Sequence, residues 1–334
     1  MGKRVFSDSL LERLNIMISV VAPCYYDAKN IPELVRRLNI VSKQMEVPFE
    51  IIIVDDASPD NAWEVIQGLA EEYDNLQGLR FSRNFGQHIA ITAGIAHSHG
   101  DYVVIMDGDL QDLPEEIPKI FKKIREGYEL VFTVRKDRQD KKSRKLVSIL
   151  YRCVINNFSG LNMPYNISMM RIFTRKFADN YLKFHEKHRS LGALFSWMGF
   201  NQTYVQVNHG ERFSGKSNFT PLKLLTRAFN NISYFSTLPI AWIGYLGMLI
   251  SIVSFLFGAL IIARYFLGFP ANTSGWPSLI CTISFSTGMI MLSLSVIGKY
   301  IANIYLQVLG RPLYLIAEKT PGKENGHESS EKSS

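Results

Sequence analysis

Short apolar runs alternate with amphipathic segments along the first part of the chain. The run 49–54 is apolar at nearly every position, which is typical of a strand buried on both faces of a parallel sheet. The predicted strands are 16–22, 49–54, 79–82, 102–106, 129–133 and 204–207, and helical spacing begins near residues 30, 62 and 88. This alternation predicts an α/β domain with an open, mainly parallel sheet, which would bind ligands at the carboxyl ends of its strands.

Residues 146–200 show a different pattern, with the apolar spacing of helices. Its most distinctive part contains Arg189 and Trp197. These two side chains are candidates for an acceptor pocket, and packing is the alternative for Trp197. The segment predicts a helical insertion in the α/β domain.

A basic loop follows the last predicted strand. Residues 210–217 match the phosphate-binding pattern GxxxxGK[ST], but that motif requires a helix to start at its Gly-Lys pair. Thr220 and Pro221 place the helix start later. We therefore interpret the segment as a loop whose Arg212 and Lys216 would fold over a diphosphate.

Two long uncharged runs lie near the end of the chain, at 239–263 and 277–298. Each exceeds the roughly 20 residues needed to cross a bilayer, so the pattern predicts two transmembrane helices. Basic residues flank the pair, and the short stretch between the runs has no charge, which places both ends in the cytoplasm. Two long buried helices of a soluble domain are the alternative. Residues 220–234 are amphipathic and predict a helix in the membrane interface.

These patterns divide the chain into seven segments. The predicted segments are a lead-in at 1–15, a cytoplasmic α/β domain at 16–218, an interfacial helix at 219–238, transmembrane helices at 239–264 and 277–302, an external loop at 265–276, and a cytoplasmic tail at 303–334 that is disordered after about 320.

Composition narrows the partners. The formal net charge of +7 suits anionic lipid headgroups or nucleic acid, and two adjacent membrane spans make lipid the simpler partner, so no nucleic acid is expected. Cys24, Cys153 and Cys281 are widely spaced and form no CxxC pair. They predict reduced, packed cysteines of a cytosolic protein.

Paired carboxylates end two of the predicted strands. Asp107 and Asp109 follow the strand 102–106, and Asp55 and Asp56 follow the strand 49–54. Two carboxylates at such an edge suit a hard cation such as Mg²⁺ or Mn²⁺, which shares its shell with substrate phosphates. An acidic loop that caps the next helix is the alternative for Asp107 and Asp109. Read together, the two acidic turns predict a nucleotide and metal site.

Six segments carry a resemblance to a known family. The chain resembles the family 2 glycosyltransferases of GT-A fold, in the branch that moves a sugar from a nucleotide donor to a polyprenyl phosphate. It is similar to bactoprenol glucosyltransferases and dolichol-phosphate mannose synthases, and more to the former because of the paired C-terminal spans. The matching segments are 20–26, 53–58, 82–87, 106–115, 212–217 and 310–314.

The resemblance assigns roles at the sheet edge. It implies that the nucleotide is bound by Pro23, Tyr25, Asp27, Asp55, Asp56 and Asp107, and that the divalent metal is bound by Asp107, Asp109 and Gln111. Asp27 departs from the family pattern, because the family usually has Glu at this position. Asp27 is a shorter substitute for that nucleotide contact.

A second departure affects the acceptor. The family's usual Gly-Asp-Phe-Arg is Ser168–Arg171 here, so Met169 replaces the acidic residue often proposed to assist the acceptor. A phosphomonoester has a second pKa of about 6 and is mostly a dianion at neutral pH, so it hardly needs a base. It needs screening from the donor's charge, for which arginines are candidates, each with a solvated surface position as the alternative. The predicted catalytic residues are Asp109, Arg83, Arg135, Arg171 and Lys216, and those for the acceptor phosphate are Arg135, Arg138, Arg212 and Lys216.

The expected activity follows from these features. The resemblance implies inverting transfer of a sugar from a nucleotide diphosphate donor, expected to be a UDP-hexose, to undecaprenyl phosphate. The enzyme would be a multi-pass homo-oligomer of the bacterial inner membrane with a cytoplasmic catalytic domain, and its product would serve cell-surface glycan modification. The alternatives are transfer to a glycolipid or growing polysaccharide, and an inactive sugar-nucleotide-binding partner of a flippase, motivated by Met169.

Overall fold

The computed structural model describes residues 16–135, 167–187, 189–210, 238–267 and 275–321. The chain forms two compact units. Among the described residues, the first unit contains those up to 210 together with 311–321, and the second contains 238–267 and 275–310. Several predicted features lie outside the described residues: the lead-in 1–15, Arg138, Cys153, most of the loop 210–217, the interfacial helix and the end of the tail.

The first unit is an α/β domain built on one eight-stranded sheet. Its strands and helices are β1 (Ile18–Cys24), α1 (Ile31–Met45), β2 (Phe49–Asp55), α2 (Ala62–Glu72), β3 (Leu76–Phe81), α3 (Gln87–Ala96), β4 (Tyr102–Ile105), α4 (Ile117–Ile124), β5 (Leu130–Arg135), β6 (Ile167–Thr174), α5 (Arg175–Leu182), α6 (Leu191–Trp197), β7 (Gln202–Val207) and β8 (Ile316–Lys319). A short 3₁₀ turn, Pro114–Glu116, precedes α4.

The sheet is mixed but mostly parallel. Its strand order is β7-β5-β6-β4-β1-β2-β3-β8. The strands β3, β2, β1 and β4 run parallel to one another, and β5 runs parallel to β7. The strand β6 is antiparallel to β4 and β5, and β8 is antiparallel to β3. The predicted α/β class with a mainly parallel sheet is confirmed.

The central strands are buried on both faces, as the run 49–54 predicted. Residues Ile51 to Val54 of β2 are essentially inaccessible to solvent. Full burial of one such aliphatic side chain stabilises the fold by about 1.5–3 kcal/mol. This inner part of the sheet therefore provides a rigid base for the loops at its carboxyl edge.

Two strands differ from the sequence prediction. The helical interpretation of 146–200 is wrong at Ile167–Thr174, which forms β6 between β4 and β5. Ile167, Met170 and Phe173 recur every third residue, as on a helix face, but the segment is extended because it pairs with strands on both sides. The strand β8 comes from the segment that the sequence indicated only as a tail.

The second unit contains two long helices, α7 (Leu238–Phe266) and α8 (Trp276–Val308). Both are long and apolar enough to cross a membrane. Large apolar side chains on them are exposed in the single chain, including Phe255 and Phe285, and exposed apolar surface of this extent indicates a lipid or protein partner. The cysteine prediction holds for the buried, unpaired Cys24, but Cys281 is exposed on α8.

Candidate active site

Parallel pairing places two acidic turns at one edge of the sheet. In the register of β1 and β2, Cys24 lies opposite Asp55, and in that of β1 and β4, Val21 lies opposite Ile105. The chain continues this pairing past the strands, because the Asp56 amide donates to the Cys24 carbonyl at 3.0 Å. The carboxyl ends of β1, β2 and β4 therefore bring the 55–56 turn and the 107–112 turn to the same edge.

Asp55 is a fully buried carboxylate at the end of β2. Its Oδ1 accepts a hydrogen bond from the Ser58 amide at 2.9 Å. Its Oδ2 lies 3.7 Å from the Arg80 Nε and accepts no hydrogen bond from the described residues. Burial raises the pKa of Asp55 to about 6, against the opposing effects of the Ser58 amide and Arg80. One oxygen of Asp55 is thus buried without a hydrogen-bond partner among the described residues.

Both carboxylate oxygens of Asp56 accept hydrogen bonds from backbone amides. The donors are the amides of Phe85 at 2.7 Å and Gly86 at 2.8 Å. Gly86 has a φ of 99°, a conformation that favours glycine. Burial raises the pKa of Asp56, and these two amides oppose the rise. In this structure Asp56 fixes the turn that carries Arg83 into α3.

Asp107, Asp109 and Asp112 crowd the turn after β4. Asp107 accepts from the Gln87 Nε2 at 2.5 Å, and Asp109 accepts from the Gln111 amide at 3.1 Å. Burial raises the pKa of Asp107 to about 7, and the charges of Asp112 and Asp109 add to the rise. Crowded carboxylates of this kind favour a bound cation, because it would relieve their repulsion.

The donor set at this turn fits a divalent metal that binds together with substrate. Within the described residues, no group of three or more His, Cys, Asp or Glu side chains could hold a metal ion alone. Mg²⁺ is often held by one or two carboxylates, with water and substrate phosphates in the other positions. Leu110, between Asp109 and Gln111, has a φ of 61°, an uncommon conformation for a residue with a side chain. The donors at this turn therefore fit part of a metal's coordination shell, with the other positions left to water and substrate.

The loop after β1 presents an aromatic side chain. Tyr25 is 45% exposed, whereas the neighbouring Tyr26 has a φ of 62° and donates its amide to the Ser58 Oγ at 2.7 Å. Asp27 accepts from the Asn30 Nδ2 at 3.1 Å and from the Tyr25 amide at 3.4 Å. Asp27 thus shapes this loop. Pro23 lies directly before it, and the Pro23 carbonyl is 3.1 Å from where a Cβ on Gly108 would stand.

The predicted arginines have different environments. Arg83 is exposed and lies 4.6 Å from the centre of the Phe85 ring. Arg135 ends β5, and together with Arg171 its charge opposes the rise in the pKa of Asp107. Arg138, Arg212 and Lys216 lie outside the described residues.

Arg171 is buried, which the sequence did not indicate. Only 4% of it is exposed, and its guanidinium lies between the rings of Phe132 and Phe195. It donates to the carbonyls of Met169 at 3.0 Å and Ser168 at 3.3 Å. Burial lowers the pKa of Arg171 to about 10. In this structure Arg171 acts on the acidic turn through its charge, which opposes the rise in the pKa of Asp107, and it is not an exposed group that could screen the acceptor as the sequence predicts.

Three residues at the site received no role from the sequence. Asp112 accepts from the Ser168 Oγ at 2.5 Å and lies 3.7 Å from the Nδ1 of His209, to which it is also joined by a β-bridge. Neither ring nitrogen of His209 forms a hydrogen bond with the described residues. Burial lowers the pKa of His209, and Arg135 acts in the same direction. No local pattern could reveal this cluster, because its members are joined only in the folded chain.

Arg189 and Trp197 were candidates for an acceptor pocket. Arg189 is buried and donates to the carbonyls of Phe184 and Glu186 just after α5, which is a packing role. Trp197 is exposed and makes an edge contact with Phe184. The described contacts do not join either residue to the acidic turns.

Comparison with known proteins identifies the family. The family model described as "Glycosyl transferase family 2" matches residues 19–182. The chain is 34% identical over 314 residues to the uncharacterised glycosyltransferase YkcC of Bacillus subtilis, covering 93% of this chain and 96% of the relative. It is 33% identical over 316 residues to the undecaprenyl-phosphate 4-deoxy-4-formamido-L-arabinose transferase of Serratia proteamaculans, covering 94% and 97%.

Solved glycosyltransferase structures resemble this chain at low sequence identity. Glucosyl-3-phosphoglycerate synthase from Mycobacterium tuberculosis, in complex with Mn²⁺, UDP and glucosyl-3-phosphoglycerate, has 18% identity, covers 70% of this chain and 84% of its own, and has a TM-score of 0.47. A mannosyltransferase from Pyrobaculum calidifontis has 14% identity, covers 88% of both chains, and has a TM-score of 0.43. The curated relatives match nearly the whole length of this chain, and the sheet is of the GT-A type. This chain therefore belongs to glycosyl transferase family 2.

Proposed function

We propose that this glycosyltransferase moves a sugar, with inversion, from a nucleotide diphosphate donor to undecaprenyl phosphate at the cytoplasmic face of the membrane, and that the donor is a UDP-hexose. The observation that carries the proposal is the meeting of Asp55 and the 107–112 turn at one sheet edge. Relatives named as undecaprenyl-phosphate sugar transferases and two helices apolar enough to span a bilayer support the lipid acceptor.

The donor's nucleotide would lie over the loops after β1 and β2. The exposed ring of Tyr25 offers a stacking surface for a base. The Oδ2 of Asp55 is a buried acceptor for a donor group of the base or ribose. Asp27 holds the first loop through Asn30, and Asp56 holds the adjacent turn before α3. Pro23, at the end of β1, would lie beside the nucleotide.

The donor's diphosphate would lie at the 107–112 turn, held through Mg²⁺ or Mn²⁺ by Asp107, Asp109 and Gln111. The bound cation would supply charge neutralisation for the departing nucleoside diphosphate. Asp112 would keep the turn in shape by accepting from the Asp107 amide, and Arg171 would act through Ser168, whose hydroxyl donates to Asp112. This assignment makes Arg171 a supporting residue in place of the catalytic, charge-screening residue that the sequence predicts.

The acceptor phosphate needs positive charge that screens it from the donor's diphosphate more than it needs a general base. Its phosphate is already mostly a dianion at neutral pH, so Met169 in the family's acidic position does not prevent attack on the anomeric carbon. Arg135, Arg138, Arg212 and Lys216 are the proposed phosphate contacts, and Arg83 would add positive charge beside them. Attack opposite the departing diphosphate inverts the anomeric centre.

The proposed setting is a bacterial inner membrane, with α7 and α8 as a multi-pass anchor. We also propose that the protein forms a homo-oligomer. The expected product is a lipid-linked sugar for cell-surface glycan modification.

The test is direct product formation. Purified full-length protein is mixed with undecaprenyl phosphate, Mg²⁺ and each member of a panel of radiolabelled nucleotide sugars, including UDP-hexoses and a UDP-4-deoxy-4-formamido-arabinose. The expected product is extractable into organic solvent, labile to mild acid and inverted at the anomeric carbon. A panel with no labelled lipid would exclude the proposed activity.

The same assay separates the rival functions. Transfer to a glycolipid or polysaccharide would give label that needs that acceptor and resists mild acid. An inactive partner of a flippase would bind the nucleotide sugar and transfer nothing.

A further inference from the structure

The strand β8 completes the sheet of the first unit. It lies after the two long apolar helices in the sequence but pairs with β3, with Arg80 opposite Glu318. Thr320 is buried and bonds Gly78 twice, through its amide at 3.0 Å and its Oγ1 at 2.8 Å. The Ser82 amide donates to the Leu315 carbonyl at 3.0 Å. The segment 315–320 is therefore a fixed part of the sheet.

Glu318 is held by two donors. Its Oε1 accepts from the Arg80 Nη1 at 2.8 Å, and its Oε2 accepts from the Trp63 Nε1 at 3.0 Å. The carboxylate is thus set by a strand on one side and by a rigid indole of α2 on the other. Charge-assisted bonds of this geometry fix the direction of a guanidinium.

Arg80 in turn faces Asp55. Its Nε lies 3.7 Å from the Oδ2 of Asp55, the oxygen that accepts no hydrogen bond within the described residues. The Arg80 side chain is one-third exposed, so without Glu318 and the Trp63 ring beside it this long side chain would have many rotamers in solvent. Side-chain contacts therefore link Glu318 of β8 to Arg80 of β3, and Arg80 to Asp55 at the carboxyl edge of the sheet.

We propose that Arg80 and Glu318 are positioning residues for the donor nucleotide: β8 fixes Arg80, and Arg80 fixes the Asp55 carboxylate in its ligand-binding orientation. This inference rests on the proposed role of Asp55 in nucleotide binding. By this inference the strand β8, which follows the two apolar helices in the sequence, contributes to donor affinity without contact with the donor.

The test is a double-mutant cycle in the full-length protein. UDP and GDP, each with Mg²⁺, serve as probes in calorimetric titrations, and the cycle uses the nucleotide that the wild type binds. We expect Glu318→Gln to weaken binding about 3- to 10-fold and Arg80→Gln about 10-fold. The double variant should match Arg80→Gln, since Glu318 acts only through Arg80. In turnover assays the donor KM should rise and kcat should stay the same.

Lys319→Gln is the matched control, since it removes a charge from the same strand but its side chain contacts His97. It should bind the nucleotide as the wild type does. The Glu318→Gln and Lys319→Gln variants should each unfold within about 3 °C of the wild type, because both side chains are exposed.

Each outcome decides. The inference would be overturned if Glu318→Gln lowered nucleotide affinity by the same factor with Arg80 present and with Arg80 replaced. It would also be overturned if Glu318→Gln and Arg80→Gln each bound the nucleotide as the wild type does while Asp55→Asn bound it weakly. Unchanged affinity in Asp55→Asn, or a wild type that binds neither probe, would overturn the proposed nucleotide site and the inference together.

Discussion

Burial of the Asp55 carboxyl has a cost in stability that depends on pH. The pKa of Asp55 rises from 3.8 to about 6 on folding, so the native state binds this proton more tightly than the unfolded state does. Above about pH 6 the native carboxylate is charged and buried, and the cost is fully present. As pH falls from 6 towards 4 the native group takes up its proton and the cost disappears.

Asp55→Asn should therefore stabilise the fold at neutral and higher pH while it weakens nucleotide binding. The amide oxygen can still accept from the Ser58 amide, and no charge is buried. We expect the free energy of unfolding to rise by about 1–3 kcal/mol at pH ~8, and the gain to vanish near pH ~4. Thermal unfolding of the variant and the wild type across this pH range measures the gain. An unfolding midpoint of the variant below that of the wild type at the higher pH would contradict this account of Asp55.

Replacement of the single residue Asp109 tests the proposed metal site. Asp109→Ala removes one proposed ligand, so sugar transfer should fall at least about 100-fold while the fold is retained. In the wild type, chelation should abolish transfer and added Mg²⁺ should restore it. Glu115→Gln is the control, because Glu115 lies just beyond the turn and pairs with Arg37. Full transfer by Asp109→Ala in the presence of chelator would disprove the proposed metal role.

At the scale of elements, α2, β3 and β8 meet at Gly78. A Cβ at this position would lie 2.3 Å from the Ile66 Cγ2 and 2.9 Å from the Thr320 Cγ2. The absence of a side chain therefore lets the helix pack on β3 while β8 pairs beside it. This three-way packing keeps Glu318 within reach of Trp63 and Arg80.

Gly78→Ala should destabilise the first unit by about 1–3 kcal/mol, because overpacking forces the helix or the strand to move. Gly68→Ala is the matched control, since nothing lies within 4 Å of its Cβ position. An alanine within a helix should be neutral or should stabilise by up to about 1 kcal/mol. Chemical denaturation of both variants gives the comparison, and equal stability would show that the contact at Gly78 relaxes at no cost.

Local pattern predicts some of these elements and misses others for a physical reason. The strand β2 was predicted because burial on both faces makes its sequence continuously apolar. The strand β6 was misread because its apolar residues recur at helical spacing, and only its two partner strands make it extended. The strand β8 is short and mostly exposed, so it has no apolar signature.

Some features of the candidate active site can likewise be predicted from the sequence, and others cannot. The acidic turns follow from strand ends and can be placed from sequence. The bond between Ser168 and Asp112 joins residues 56 positions apart, and the burial of Arg171 needs rings from β5 and α6. Such contacts exist only after folding, so the sequence predicts a catalytic, charge-screening role for Arg171, whereas the structure buries its side chain.

For the whole molecule, strand pairing constrains the path through a membrane. The strand β3 precedes both long helices in the sequence and β8 follows them, yet the two strands are neighbours in one sheet. They must lie on the same side of any bilayer. Between β3 and β8 the chain therefore crosses it an even number of times. Because α7 and α8 are the two described helices that are long and apolar enough to cross, both span the bilayer or neither does.

Labelling of single cysteines tests this topology. With Cys153 and Cys281 replaced and the buried Cys24 kept, we expect Thr273→Cys, in the uncharged loop, to react with a membrane-impermeant maleimide in intact spheroplasts. Glu72→Cys on α2 and Glu324→Cys beyond β8 should react only after lysis, and always together. Reaction of one of these two without the other before lysis would contradict the pairing of β3 with β8 across the anchor. Reaction of both in intact cells, with Thr273→Cys protected, would reverse the orientation and place the acidic edge on the outer face, away from cytoplasmic nucleotide sugars.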